Sequence, residues 1–95
     1  IKEADLVITN PTHYAVAIRY RPEEYPAPII VAKGLDAIAL KIKAEARRHD
    51  VVQIENRALA RALHAQGTVG QAIPEGLFQP VAGVLALVYK KRNKR

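Results

Sequence analysis

Short apolar runs alternate with polar breaks along the first third of the chain, and a longer period comes after them. Residues 4–10, ADLVITN, form a brief apolar run that stops at Asn10-Pro11 and predicts a buried strand. Residues 13–20, HYAVAIRY, come close to strict alternation and place Tyr14, Val16 and Ile18 on one face of a second strand. RPEEYPAP, with three prolines in eight residues, reads as loop. IIVAK, residues 29–33, predicts a third strand that Gly34 is expected to end.

From residue 35 the period becomes helical. Leu35, Ile38, Ala39, Ile42 and Ala46 recur on one stripe, while Lys41, Lys43, Glu45, Arg47 and Arg48 lie mostly away from it. VVQIE, residues 51–55, predicts a fourth strand, and Asn56 can cap a helix running through Leu59, Ala60 and Leu63 to a stop at Gly67. A final helix is expected with Pro80 in its first turn and Val81, Val84, Leu85 and Val88 facing inward. The order β-β-β-α-β-α-α predicts an α/β fold, a small mixed four-stranded sheet surrounded by about three to four helices. With no internal repeat or dividing linker, residues 1–89 read as a single domain and 90–95 as a basic C-terminal tail.

Ninety-five residues, about half of them hydrophobic, support one modest core. No Met occurs at any position, which predicts a piece of a longer protein. The longest apolar run, VAGVLALVY at 81–89, is about half of what a membrane span requires, so the piece is expected to be soluble. Cysteine and serine are both absent, which removes disulfides, thiolate chemistry and the commonest hydrolase nucleophiles. The formal charge of +6 is concentrated: five of the fifteen Lys/Arg lie in KKRNKR, leaving ten against nine Asp/Glu over residues 1–89. Such a tail is ordinarily a solvated end, its alternatives being contact with anionic lipid or nucleic acid. No aromatic residue interleaves it for base stacking.

His13, His49 and His64 are scattered without metal-site spacing, GTVG at 67–70 lacks a P-loop ending, and neither a metal nor another cofactor is expected. Glu23 and Glu24 are adjacent, which alone makes no acid/base pair. Asn10-Pro11 differs, because its atoms favour one reaction. Proline has no N–H, so the usual deamidation by the following backbone nitrogen is closed. The Asn10 side-chain nitrogen can instead attack its own main-chain carbonyl, closing a succinimide and expelling Pro11 as a new N-terminus. An intramolecular attacker acts at high effective concentration once oriented. His13 can move protons near neutral pH, and Thr12 can bond within the turn or orient a water. The ordinary alternative is a plain Asn-Pro turn.

NPTHYAVAIRY (10–20), YPAPIIVAKG (25–34), ENRALARAL (55–63) and VGQAIPEGLF (69–78) resemble, in order and spacing, the cytoplasmic domain of the FlhB/YscU family. These are export-switch proteins of flagellar and injectisome type III secretion systems. The resemblance covers residues 5–89, leans to the flagellar members, and departs at Ala58, where the family often has Pro. It implies autocleavage between Asn10 and Pro11, with Thr12 and His13 completing the turn and the two fragments remaining associated. It implies that this cleavage is single-turnover, on the domain's own bond, and not the work of an enzyme on external substrates. It implies a role in switching export from early to late substrates, through an apolar patch at Ala27, Pro28, Ala82 and Leu85. Helix core is the plain alternative for Ala82 and Leu85, whereas Ala27 and Pro28 are expected to be exposed in their loop. The partners implied are exported substrates, other export-apparatus proteins and the protein's own membrane domain, at the cytoplasmic side of the bacterial inner membrane. No nucleic acid is expected. The competing reading is a small basic RNA- or protein-binding module whose Asn-Pro-Thr-His is only a turn; a conventional hydrolase is disfavoured by the missing Ser and Cys.

Overall fold

The computed structural model describes residues 1–11 and 13–92. Its sheet has the order β3-β2-β1-β4, with β1 (Leu6–Asn10) inside it. β2 (Tyr14–Arg19) runs antiparallel to β1, from Leu6 opposite Ile18 to Asn10 opposite Tyr14. β3 (Ile29–Leu35) continues antiparallel beyond β2, and β4 (Val52–Glu55) lies parallel to β1 on its other side. The helices are α1 (Ala37–Arg48), α2 (Arg57–Gln66) and α3 (Phe78–Arg92), the last preceded by a 3-10 turn at Glu75–Leu77. Element order, mixed sheet and helical cover agree with the pattern-based expectation.

Strand alternation divides the core in two. Leu6, Ile8, Val16 and Ile18 face α2 and α3, where Leu59, Leu63, Val81, Val84, Leu85 and Val88 complete the larger cluster. Val7, Ala15 and Ala17 face the opposite way, against Ala39, Ile42 and Ala46 of α1. Asn56 caps α2 through its Oδ1, which accepts the Leu59 N–H at 3.1 Å. At the other end of α2, Lys33 Nζ donates to the carbonyls of His64 (2.9 Å) and Gly67 (2.8 Å), so β3 carries the cation that satisfies the helix's last carbonyls. Buried Asp5 accepts the Tyr20 N–H at 2.7 Å and ties the entry of β1 to the exit of β2.

Three expectations are corrected. Gly34 does not end the third strand, which runs on to Leu35. The helical stripe also begins later than the spacing predicted: Ala39, Ile42 and Ala46 are buried, but Leu35 belongs to β3 and both it and Ile38 are exposed. One cause accounts for both. Gly34 is buried, and a Cβ there would lie 2.3 Å from Ile38 Cγ2, so the missing side chain lets α1 begin directly against the strand. Third, α3 continues through Arg92, so the basic segment 90–95 starts as helix; residues 93–95 lie outside the described residues. Pro80 does fall in the first turn of α3, where a missing N–H costs no helical bond. Among the described residues, no helix is long and apolar enough to cross a membrane.

Gly34→Ala is expected to cost about 1–3 kcal/mol by forcing α1 off β3. Gly76→Ala, where an added Cβ meets nothing within 4 Å, is expected to be near neutral. Urea unfolding of both variants, compared at constant slope, measures the difference.

Candidate functional site

Residues 11–13 connect β1 to β2, and the Asn10 carbonyl accepts the His13 backbone N–H at 3.2 Å across this turn. Asn10 is half-buried at the end of its strand, and Pro11 and His13 are exposed. Thr12 lies outside the described residues. The turn is held from three directions. Thr9 O accepts the N–H of Asn56 at 2.9 Å, and the Asp36 N–H donates to the His13 carbonyl at 2.8 Å. Lys43 Nζ, from α1, donates to the Pro11 carbonyl at 3.0 Å. Behind the turn, the Tyr14 ring lies 5.1 Å from that of His64 and 6.2 Å from that of His13. The scissile position predicted from the sequence is therefore fastened by the starts of both α1 and α2.

His13 Nδ1 lies 3.3 Å from Asp36 Oδ1, with the two side chains 60% and 67% exposed. An ion pair this open is screened and adds little to folding. The backbone of Asp36 is less ordinary: φ 50°, ψ −112°, at the start of α1. A non-glycine residue held there costs on the order of 1–3 kcal/mol. Together Pro11, His13, Asp36, Ala37, Leu40 and Lys43 line an open cleft of about 280 Å³. The cleft supplies a carbonyl with a donor on its oxygen, an imidazole, a carboxylate and an ammonium, beside the end of β1 where Asn10 precedes Pro11.

The four residues predicted to form an apolar patch are only partly brought together. Pro28, Ala82 and Leu85 line one groove of about 270 Å³ with Tyr20, Phe78 and Tyr89. Ala82 is exposed and Leu85 is 3% exposed, so the latter serves the core as well as the groove wall. Ala27 does not join them, and its expected exposure is corrected: it is buried, and it lines a separate cleft with Arg19, Tyr25 and Gln71. The cause is the anchoring of its loop, where the Ile73 N–H donates to the Pro28 carbonyl at 3.0 Å and Ile29 bridges to Ala72. Phe78 and Tyr89 went unread as groove residues although a signal existed: positions 78, 82, 85 and 89 form a second apolar stripe on α3 at helical spacing. Asp36 and Lys43 had no such signal, since they lie 23 and 32 positions along the chain from the turn residues they contact.

Residues 1–88 match the family described as the FlhB HrpN YscU SpaS Family. The chain belongs to this family. Flagellar biosynthetic protein FlhB of Bacillus subtilis (strain 168) is 53% identical over 94 residues, covering 99% of this chain and 26% of that protein. FlhB of Helicobacter pylori is 50% identical over 95 residues, covering 100% and 26%. The chain thus spans about a quarter of the length of the curated relatives it matches. The crystal structure of the cytoplasmic domain of FlhB from Shewanella putrefaciens is similar at a TM-score of 0.90 and 42% identity, covering 96% of this chain and 70% of that one. A mutated EscU C-terminal domain is similar at 0.88 and 36%, covering 92% and 87%. These likenesses bear out the FlhB/YscU resemblance read from the four motifs, and the mixed sheet with its three helices is the architecture of this family's C-terminal domains.

Proposed function

We propose that this chain is the self-cleaving switch domain of a type III protein-export component, standing at the cytoplasmic side of the bacterial inner membrane. One observation carries the reading: the main-chain carbonyl of Asn10 accepts the His13 N–H, and the next residue is proline. A donor on that oxygen polarises the carbon to be attacked and stabilises the charge that develops there. The Asn10 side-chain nitrogen bonds to its own carbonyl carbon, the bond to the Pro11 nitrogen breaks, and a succinimide forms. The proton lost by the amide ends on the Pro11 nitrogen, with His13 as its carrier. No external nucleophile is consumed, so the reaction occurs once per chain.

Cleavage at this position does not release the first strand. Leu6, Val7 and Ile8 have no exposed surface, and β1 pairs along both edges. Burial of those three side chains is worth about 5–9 kcal/mol, and a cut at an exposed turn leaves all of it in place. What changes is the turn surface beside α1. The apolar groove, proposed as the docking site for exported substrates, begins at Tyr20, at the opposite end of β2 from His13. The two sites are about 20 Å apart along the strand, so scission reaches the groove through β2 and not by direct contact.

Denaturing mass spectrometry of the purified chain after incubation at neutral pH is expected to show fragments 1–10 and 11–95. Their masses should sum to that of the intact chain until water opens the succinimide. Asn10→Ala should remain whole, and a native chain that also stays whole would end the cleavage reading. Under native conditions the two fragments are expected to elute together from a sizing column.

Ala82→Asp is expected to weaken binding of an exported-substrate peptide at least about tenfold, by placing an unpaired charge in an apolar groove. Its melting temperature should barely move, because Ala82 is exposed. Leu85→Ala should instead cost about 2–5 kcal/mol of stability, so titration calorimetry beside thermal unfolding separates groove from core.

A further inference from the structure

We infer that Asp36 is a positioning residue: its carboxylate selects the imidazole tautomer of His13 that self-cleavage uses. Three features of Asp36 converge on His13. Its N–H donates to the His13 carbonyl at 2.8 Å. Its Oδ1 lies 3.3 Å from His13 Nδ1. It begins α1, where an Asp ordinarily accepts a backbone N–H of the first turn, yet it makes no such bond. The carboxylate therefore leaves the customary use of its position and faces the imidazole instead.

The backbone strengthens this reading. Angles of φ 50° and ψ −112° lie close to about +60° and −120°, the first central position of a type II′ turn, where glycine is the usual residue. The local conformation does not favour an Asp here and its carboxylate makes no cap bond; the side-chain contact it does make is the one to His13. An exposed pair adds little to stability. It decides instead which ring nitrogen carries the proton: with Nδ1–H donating to Asp36, Nε2 is left as the basic nitrogen. Lys43, the other charged side chain in the cleft, is engaged on the Pro11 carbonyl and does not compete for the ring.

This role presupposes self-cleavage at Asn10-Pro11, and its test separates the two. Cleavage rates and unfolding midpoints are compared for the native chain, Asp36→Gly and Asp36→Asn. Asp36→Gly is expected to be as stable as the native chain or more so, because glycine suits these angles, and yet to cleave at least about tenfold more slowly, a part of what general acid–base groups contribute. Asp36→Asn, which keeps an oxygen acceptor at the same reach, is expected to cleave at an intermediate rate. In the Asn10→Ala background, where the turn stays whole, nitrogen NMR of His13 at about pH 8 should show the Nδ1–H form. Adding Asp36→Gly to that background should shift it to the Nε2–H form. A native cleavage rate in Asp36→Gly, or an Nε2–H ring with Asp36 present, overturns the inference. A native chain that never cleaves overturns the reaction instead, and the role with it, while the tautomer still decides whether Asp36 sets the ring.

Discussion

The structure depends on the complete enclosure of β1. This five-residue strand is paired on one edge to β2 and on the other to β4, and its side chains reach both layers of the core. Leu6 and Ile8 anchor the layer under α2 and α3, and Val7 anchors the layer under α1. Removing β1 would open both layers and leave two sheet fragments without a common neighbour. A strand so placed can lose its covalent link to Pro11 and still keep its position in the sheet. The bond proposed to break lies immediately beyond the last residue of that strand, so the enclosure makes scission and dissociation separate events.

The same turn is over-determined by its neighbours. Its flanking strands are in register to the last pair, Asn10 opposite Tyr14, and the starts of α1 and α2 bond to it on either side. Gly34 is the device that brings α1 there, since any side chain at that position would displace Ile38 and, with it, the helix start that carries Asp36. Strain at Asp36 is sustained because β3 ends beside the turn and α1 must begin within one residue of it. The geometry of this turn is thus a property of where three elements meet, and not of the tetrapeptide alone.

α3 carries two uses on one helix. Val81, Val84, Leu85 and Val88 close the larger core, while Phe78, Ala82, Leu85 and Tyr89 form a groove with the loop after β2. Leu85 belongs to both stripes. An apolar helix with a second apolar face exposes surface that a purely structural helix would cover with polar residues, and that exposure is what the proposed docking role rests on.

The periodicities by themselves determined the element order, the burial of β1, the inward faces of β2 and α3, and the Asn56 cap, because each rests on spacing within a few residues, and the mixed sheet followed from that order. The reaction proposed for Asn10-Pro11 rests on an equally local fact, proline's missing N–H. Strand β3 running through Gly34, the exposure of Leu35 and Ile38, and the burial of Ala27 were decided by tertiary contacts: a close helix approach in one case and an anchored loop in the other. The partners of the turn, Asp36 and Lys43, belong to the same class. They reach it only because antiparallel pairing carries the end of β3 back beside the end of β1, and no local pattern encodes a meeting between residues so far apart in the chain.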